Sequence, residues 1–322
     1  MSLNLRLVRY LIAVVDEGHF GRAADRLYVS TPALSQQIRK LERSLGTELL
    51  DRSAHPVRTT PAGERFLTEA REALAAADRA IAAVDSYRRE VAHTVRIGFM
   101  TASTGPQTRE ILDDLRRRVP DVTIQMVELQ WSQQTSAVRD GKVDAALVRP
   151  PFADSTGLRL DVIRHESRVV AVARAHPLAD RSEVHLNELD DDLHVTNDDA
   201  DPVWVRWWAC DPRPSGVTVR YGPSVRTIDE LLEVVAAGQA VSITGEFVAD
   251  SHRNPGVVFV PVADVPLCPL SLCTRISDAS AVIAELREAV LSSGPGSRLG
   301  HDASFSTFDG SVHEFGRVVT GT

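Results

Sequence analysis

The sequence predicts an α-helical region followed by a larger α/β region, with one long helix between them. Apolar residues recur every three to four positions up to about residue 45, which is typical of short one-sided helices. A heptad pattern of apolar residues then runs from about residue 61 to 92. From Thr94 onward, β-type runs alternate with helical segments, and this alternation favours a parallel sheet covered by helices on both faces.

The first three helices lie close together in the sequence. The first ends near Gly18, and the second spans about residues 20–27. A tight three-residue connection leads to the third, which Ser30 or Thr31 can cap and which carries Pro32 in its first turn, where the missing N–H costs nothing. Two helices joined by such a turn form a helix-turn-helix layout.

The third helix has two chemically different faces. Leu34, Ile38 and Leu41 form a buried stripe that Leu45 extends. At 100° per residue, the opposite face carries hydrogen-bonding and basic side chains, with Ser35 and Lys40 at its flanks. This is the composition of a helix that enters the DNA major groove, and the alternative is a solvated face on an ordinary three-helix bundle.

A wing and a long helix follow. Residues 48–60 form two extended pieces around a Pro-containing turn and display Arg52 and Arg58, as a wing that lays cations along phosphates would.

Thr60 caps and Pro61 begins a helix that we expect to reach Ala92. Its apolar seam with small alanines favours packing against a second copy, so we interpret it as a dimerisation helix and linker; the alternative is a helix lying on its own domain.

The α/β region is expected to form two lobes around a cleft. The first lobe has predicted strands at residues 95–100, 122–129 and 143–148, with helices at 106–119 and 131–140. Second-lobe strands are expected at residues 169–173, 193–196, 217–221, 240–244 and 257–262, with helices near Trp204 and at 225–237. Residues 270–274 and a helix at 278–291 return to the first lobe. Such clefts bind ligands at the carboxyl ends of strands.

The expected domains follow from this segmentation. They are a DNA-binding domain at 1–60, a linker helix at 61–92, a two-lobed domain at 93–293 (lobe I 93–163 and 266–293, lobe II 164–265) and a tail at 294–322. The tail has no clear period, and we expect it to be mobile or extraneous.

Composition narrows the class of protein. The chain has 322 residues, enough for two or three folding units, and its 43% hydrophobic and 25% charged residues are typical of a globular protein. Three cysteines are too few for a disulfide framework, and no apolar run approaches the roughly 20 residues of a membrane span, so we expect a cytoplasmic protein. The net charge is −8, yet residues 1–65 hold ten basic against seven acidic residues, as expected where only the front of the chain meets a polyanion.

The motifs resemble a known family when they are taken together. The segments at residues 19–27, 30–42, 45–46, 49–52 and 60–63 resemble the winged helix-turn-helix of LysR-type transcriptional regulators. Arg96–Phe99, Gly141–Val148, His176–Ala179 and Val235–Gly238 look like that family's effector-binding domain, a two-lobed α/β domain of the periplasmic-binding-protein type. The resemblance covers roughly residues 3–293. It implies a ligand-responsive regulator that binds a promoter operator as an oligomer and changes DNA bending when a small effector binds.

The resemblance also assigns contacts and partners. The implied partners are double-stranded operator DNA, a small-molecule effector, RNA polymerase, and further copies of the chain in a homodimer that assembles to a homotetramer. Where members commonly carry Gln this chain has Thr31, which cannot make Gln's bidentate pairing with adenine. The expected DNA-binding residues are Thr31, Pro32, Ser35, Gln36, Arg39, Arg43, Arg52 and Arg58.

The effector cleft is expected to use a hydroxyl-rich loop at a helix N-terminus, which suits a carboxylate, although the same residues could simply cap the helix. Arg149 matches an arginine near the ligands of regulators of aromatic catabolism, so an aromatic or dicarboxylic acid is the expected effector. The acidic run at 197–201 beside tryptophans would instead favour a cationic ligand. The expected effector residues are Thr101, Ala102, Ser103, Thr104, Trp131, Arg149, Asn197, Asp198 and Trp204.

Other classes of function are less favoured by the sequence. The chain contains none of the nucleophile-elbow, Walker, dinucleotide-binding or zinc-protease motifs, so we expect no enzyme, catalytic residue, metal or cofactor. A cytoplasmic small-molecule-binding protein would suit the two lobes but not the winged front. A redox-sensing regulator is a further alternative because Cys268 and Cys273 lie five positions apart, but on a strand they would face opposite sides about 16 Å apart.

Overall fold

The computed structural model describes residues 3–54 and 56–294. Most of the tail expected at 294–322 therefore lies outside the described residues. The α-helices are α1 (Leu5–Glu17), α2 (Phe20–Arg26), α3 (Thr31–Leu45), α4 (Pro61–Val91), α5 (Pro106–Arg118), α6 (Ser136–Arg139), α7 (Pro202–Ala209), α8 (Ile228–Ala236), α9 (Glu246–Ser251) and α10 (Ala281–Ser293). The strands are β1 (Leu50–Asp51), β2 (Arg58–Thr59), β3 (Thr94–Phe99), β4 (Thr123–Glu128), β5 (Ala145–Val148), β6 (Leu158–Glu166), β7 (Arg168–Ala173), β8 (Leu193–Thr196), β9 (Arg220–Ser224), β10 (Ser242–Gly245), β11 (Val257–Pro261) and β12 (Cys268–Arg275).

The N-terminal region is a three-helix core with a two-stranded wing. The Ser30 hydroxyl accepts from the Ala33 N–H to begin α3, and Gly46 ends the helix with a left-handed φ of 71°. The expected stripe of Leu34, Ile38 and Leu41 is buried against α1 and α2. Strands β1 and β2 pair antiparallel as the wing, so this part of the expected fold is confirmed.

Helix α4 changes environment along its 31 residues. Leu67 and Ala70 are buried in its N-terminal half, which packs against α1. Towards its C-terminal end, four large apolar side chains are exposed: Ile81, Val84, Tyr87 and Val91. The helix is tied to the following α/β region by Arg89, whose guanidinium donates to Asp144 at 2.6 and 3.0 Å.

The first lobe contains a five-stranded sheet in the order β4-β3-β5-β12-β6. The first three strands are parallel, as predicted, whereas β12, which returns from the second lobe, runs antiparallel to both of its neighbours. Strand β6 was not predicted because a bulge opposite Leu270 and Ser271 breaks its alternation and leaves Val162 exposed. The helix expected at 131–140 is also wrong: a 3₁₀ turn at Trp131–Gln133 precedes the four-residue α6.

The second lobe contains two small sheets. Strands β10, β7 and β11 form an antiparallel sheet, and β8 pairs with β9 in parallel. The chain enters this lobe between β6 and β7 and leaves it before β12, which is the expected return to the first lobe. Helix α9, directly after β10, was not predicted. In the described ranges, no helix combines the length and apolarity that crossing a membrane requires.

Candidate nucleic-acid interface and inter-lobe cleft

The outward face of α3 is polar and exposed as the sequence predicted. Thr31, Pro32, Gln36, Arg39 and Arg43 are exposed, and Ser35 is half-buried. All of these except Thr31 line one open concave surface together with Arg52, while Thr31 lines an adjoining hollow that also includes Ser35 and Arg52. The fold therefore brings seven of the eight expected DNA-binding residues onto one side of the molecule.

The remaining basic residue, Arg58, lies on the wing. Arg58 is exposed and sits opposite Asp51 in the β1–β2 pairing. Hydrogen bonds from Ser53, reinforced by the charge of Arg58, lower the pKa of Asp51 below its usual value. Within the part of the chain that the structure describes, no carboxylate lies within 4.0 Å of the basic groups of Arg39, Arg43 or Arg58. Exposed guanidinium groups that make no direct ion pair with a carboxylate are available to phosphates.

Arg52 has a different environment from the other cations. Its guanidinium donates to Glu42 Oε2 at 2.7 Å and to Ser35 Oγ at 3.1 Å, and it stacks over the Phe20 ring at 5.3 Å. Glu42 is buried, and its other oxygen accepts the backbone N–H groups of Leu49 and Leu50. Sequence reasoning missed Glu42, although an acidic residue directly after the buried Leu41 was a signal. These bonds hold the start of the wing against α3.

A second candidate site lies between the two lobes. It is a cleft with about 680 Å³ of space between atoms, part of it open to solvent. Five of the nine expected effector residues line it: Thr101, Trp131, Arg149, Asn197 and Trp204. The lining residues that were not expected include Met100, His194, Thr196, Trp208, Ser242 and Thr244.

Tryptophan rings form one wall of the cleft. Trp131 from the first lobe and Trp204 from α7 have ring centroids 5.6 Å apart, and Trp204 meets Trp208 edge-on at 5.9 Å. Trp207 packs on the far side of Trp208 at 5.1 Å. All four tryptophans of the chain are therefore in one cluster that spans both lobes.

Arg149 is not a free cation in the cleft. It is 6% exposed, and its Nη2 donates to both oxygens of Glu166 at 3.0 and 3.1 Å and to the carbonyl of Ala102 at 3.2 Å. Glu166 also accepts from Arg164 Nε at 2.8 Å. The two arginines share one carboxylate, which leaves the trio with a net charge of +1. The carboxylate was missed because it lies in the unpredicted strand β6.

Of the loop expected to hold a carboxylate, only Thr101 lines the cleft. Thr101 lines the cleft and donates its hydroxyl to Glu128 at 2.7 Å. Ser103 is buried and bonds back to the N–H and carbonyl of Met100, so its hydroxyl serves the turn. Ala102 has a left-handed φ of 63° and uses its carbonyl for Arg149, and Thr104 does not line the cleft. The capping alternative is wrong as well, because the N-cap of α5 is Gly105 and it has no side-chain cap hydrogen bond.

The acidic run at 197–201 does not present carboxylates to the cleft. Asp198 is exposed outside it, and Asp199 pairs with Arg226 at 2.9 Å. Asp201 caps α7 by accepting from Val203 and also accepts from the Ala153 N–H. Asn197, which lines the cleft, turns its side-chain oxygen to two backbone N–H groups. The expected role of Asp198 at the effector is not supported, and neither is the cationic ligand that the acidic run favoured.

His194 was missed by the sequence analysis and has an unusual state. It is 2% exposed, and its Nε2 accepts from Arg213 Nη2 at 2.6 Å. Burial first, and the charge of Arg213 second, lower the pKa of His194 to about 3, so the ring is neutral at pH 7. Since Arg213 can only donate, the ring proton is on Nδ1, facing the carbonyl of Leu189. His194 stands alone between apolar residues in the sequence, and this pattern gives no indication of a buried neutral histidine bonded to Arg213.

Cys268 and Cys273 are buried thiols on opposite faces of β12, as the spacing predicted, whereas the half-buried Cys210 follows α7. Cys268 packs with Trp204 and Trp208, whereas Cys273 packs in the first-lobe cluster around Val143. Burial raises the pKa of Cys268 to about 11 and that of Cys273 to about 12. The reactive thiolate is therefore disfavoured at both. No cluster of three or more potential metal ligands occurs across residues 3–54 and 56–294.

Comparisons with known proteins agree with this architecture. The model of the bacterial regulatory helix-turn-helix proteins of the lysR family matches residues 5–64, and that of the LysR substrate binding domain matches residues 88–294. The HTH-type transcriptional regulator BenM of Acinetobacter baylyi is 30% identical over 303 residues, 89% of this chain and 95% of that protein. The Hca operon transcriptional activator HcaR of Escherichia coli is 32% identical over 281 residues, 85% of this chain and 92% of its own length.

Solved structures show the same fold. The crystal structure of full-length BenM has a TM-score of 0.51 at 30% identity and covers 90% of this chain and 96% of that one. Full-length CbnR complexed with its target DNA has a TM-score of 0.51 at 24% identity, covering 90% and 99%, and shows the fold alone. With both family models matched in order along the chain, this protein belongs to the LysR family of bacterial transcriptional regulators.

Proposed function

We propose that this chain binds a promoter operator as an oligomer and responds to a small effector by changing the bend of the DNA. In this proposal α3 lies in the major groove, where Thr31, Pro32, Ser35 and Gln36 meet base edges and the flanking backbone. Arg39, Arg43 and Arg58 contact phosphates. The observation that carries the proposal is the set of exposed guanidinium groups without a carboxylate partner on the described surface around α3 and the wing. Arg52 joins this surface mainly by holding the wing against α3.

The proposed assembly uses α4. Its exposed seam of Ile81, Val84, Tyr87 and Val91 offers an apolar surface for a second copy, giving a homodimer that assembles to a homotetramer on adjacent half-sites. We also propose RNA polymerase as a partner at the promoter and a cytoplasmic location, since both follow if the target is a promoter operator. The proposed units are residues 1–60 for DNA, 61–92 for assembly and 93–293 for sensing.

The proposed effector is an aromatic or dicarboxylic acid bound in the inter-lobe cleft. Its support is the charge of the cleft: among the lining residues in the described chain, Arg149 is the one with a guanidinium group, and it shares Glu166 with Arg164. No carboxylate of the acidic run opposes an anion there. A redox response is not favoured, because the thiols of Cys268 and Cys273 are buried.

A band-shift titration of the full chain against the intergenic DNA beside its own gene tests the proposal. We expect a complex at low salt whose mobility changes with a small organic acid. Failure to bind this DNA at low salt would overturn the assignment of an operator-binding surface to α3 and the wing.

A further inference from the structure

The hydroxyl of Ser35 is bonded differently from that of Ser44 on the same helix. Ser35 Oγ accepts a hydrogen bond from Arg52 Nη1 at 3.1 Å, since an arginine can only donate. In the described structure the Ser35 hydroxyl has no acceptor for its own proton. The Ser44 hydroxyl, by contrast, donates to the carbonyl of Leu41 at 2.7 Å. The proton of Ser35 is therefore available to a partner outside the chain.

The guanidinium group beside Ser35 is itself fixed. Arg52 Nη2 donates to Glu42 Oε2 at 2.7 Å, and the guanidinium lies 5.3 Å from the centre of the Phe20 ring. Glu42 is buried, and its other carboxylate oxygen accepts two backbone N–H groups at the start of the wing. Because Arg52 is held in this way, one lone pair of Ser35 Oγ stays occupied while the wing is folded against α3.

Ser35 lies at the junction of the two surface depressions around α3. Among the described residues, Ser35 and Arg52 are the two that line both the concave surface on α3 and the adjoining hollow. Ser35 is half-buried, so its hydroxyl remains open to a group that enters either depression. Gln36, which the proposed function places on the base edges, follows it directly on the concave surface.

We propose, building on the proposed function, that Ser35 donates its proton to an acceptor on a base edge, purine N7 or thymine O4, and that Arg52 is the positioning residue that fixes this polarity. A free serine hydroxyl can bond either donors or acceptors in the major groove. Here the positive guanidinium beside Oγ opposes the approach of a second N–H donor. The unpaired O–H gains a hydrogen bond only from an acceptor.

The fixed polarity predicts which bases Ser35 rejects. The amino groups at adenine N6 and cytosine N4 are donors, so they do not match the free proton of Ser35. Purine N7 and thymine O4 are acceptors, and they match it. Arg52 then influences sequence preference without touching a base, because its guanidinium acts through the hydroxyl of Ser35.

Selection of duplexes from a random-sequence pool, followed by base modification, tests this polarity. Selection by the full chain and by Ser35→Ala identifies the position whose base preference depends on Ser35. At that position the purine is replaced by its 7-deaza analogue, which lacks N7, and thymine by 4-thiothymine, whose sulfur is a weak acceptor. We expect one replacement to weaken binding by the unaltered chain about fivefold and to leave binding by Ser35→Ala unchanged. Ser44→Ala is the matched control, since Ser44 lines neither depression, and it should keep the full sensitivity.

Arg52→Lys tests the positioning role. The lysine keeps a positive charge beside Glu42 but lacks the second guanidinium nitrogen that reaches Ser35. We expect this variant to bind the modified and unmodified duplexes with affinities within about twofold of each other, because its Ser35 hydroxyl is no longer held as a donor. A purely structural role of Arg52 would weaken binding to both duplexes and leave their fivefold ratio in place.

Three results would overturn the inference: no position that depends on Ser35, a Ser35-dependent position that neither modified base affects, or full sensitivity in Arg52→Lys. Band shifts with the intergenic DNA on the same preparations separate the two proposals. Binding of the intergenic DNA together with identical sites selected by Ser35→Ala would sink this inference alone. A selected site that depends on Ser35, without binding of the intergenic DNA, would sink the proposed function alone.

Discussion

The surface of α3 and the inter-lobe cleft handle charge in opposite ways. On α3, Arg39 and Arg43 are exposed and have no carboxylate within 4.0 Å in the described structure. In the cleft, Arg149 is buried and shares Glu166 with Arg164. A surface for a polyanion needs unpaired charges, because its affinity comes from replacing counterions on phosphates. A small-molecule site instead needs buried groups whose charges are already satisfied, since an unpaired buried charge is costly.

The difference explains where specificity resides in each region. In the proposed complex, the exposed cations around α3 provide affinity and uncharged groups such as Gln36 read the bases. In the cleft, Glu166 offsets one of the two arginine charges within the protein, and the uncharged lining groups are mainly rings and hydroxyls. An arginine near a ligand site is therefore weak evidence that it binds the ligand directly.

The largest expected effect comes from removing the cleft's shared carboxylate. Glu166→Gln leaves the buried guanidinium of Arg149 without a counter-charge, and we expect the free energy of unfolding to fall by about 3–5 kcal/mol. The matched control is Glu285→Gln, which removes an exposed pair with Arg118 and should change stability by less than about 1 kcal/mol. Urea denaturation of the full chain measures both. Equal effects of the two changes would contradict the view that the cleft arginine is held by Glu166.

A smaller effect is expected from pH at His194. Its pKa in the folded protein is about 3, below the usual 6.5, so between these values the unfolded chain binds a proton that the folded chain does not. Stability must then fall as pH decreases below 6.5, by about 2 kcal/mol at pH 5. His194→Gln keeps an acceptor for Arg213 but does not titrate, so its loss of stability between pH 7.5 and pH 5 should be about 2 kcal/mol smaller. Denaturation at the two pH values checks this, and identical losses would rule out a buried neutral His194.

Sequence predicted the α3 region well because its signals are local. Helix caps at Ser30 and Thr60, the spacing of Leu34 and Ile38, and the αL glycine at Gly46 each act within a few residues. Once the buried stripe of α3 is known, helix geometry determines which residues lie on the opposite, exposed face. Five expected contact residues on α3 therefore share one surface. Only the ion pair between Glu42 and Arg52 escaped, because it joins α3 to the wing ten residues later.

Sequence predicted the cleft less well because its geometry is non-local. No local sequence pattern links Arg149 to Glu166, because the carboxylate lies on strand β6, where a bulge breaks the alternation of buried and exposed residues. Ser103 and Asp201 have side chains suited to a ligand, yet backbone groups nearby use them first. The tryptophan of the first lobe meets α7 only after the chain has crossed between lobes. Residue type alone could not decide which polar groups remain free.

Gln36→Ala tests the base-reading role proposed for α3. Gln36 is exposed on the concave surface, so the change should leave folding intact while reducing the preference for the operator over a mutated site by about 1–2 kcal/mol. Competition band shifts with matched and altered half-sites measure this preference. Gln37→Ala, one position along α3 and outside that surface, is the control. A uniform loss of affinity for all DNA sequences would assign Gln36 to the backbone instead.

The smallest effect is expected at Arg39, and it separates phosphate contacts from structural arginines. Arg39→Ala removes an exposed cation without a carboxylate partner, so the slope of log affinity against log salt should decrease by about 1 while stability stays the same. Arg52→Ala removes a cation that is bonded to buried Glu42, so it should lower the stability of the folded chain as well as operator affinity. Salt-dependent binding and denaturation of both variants distinguish the roles. Two outcomes would contradict this division of roles: a loss of stability in Arg39→Ala, or no loss of stability in Arg52→Ala. Exposure and ion pairing would then not distinguish the arginines that contact DNA from those that support the fold.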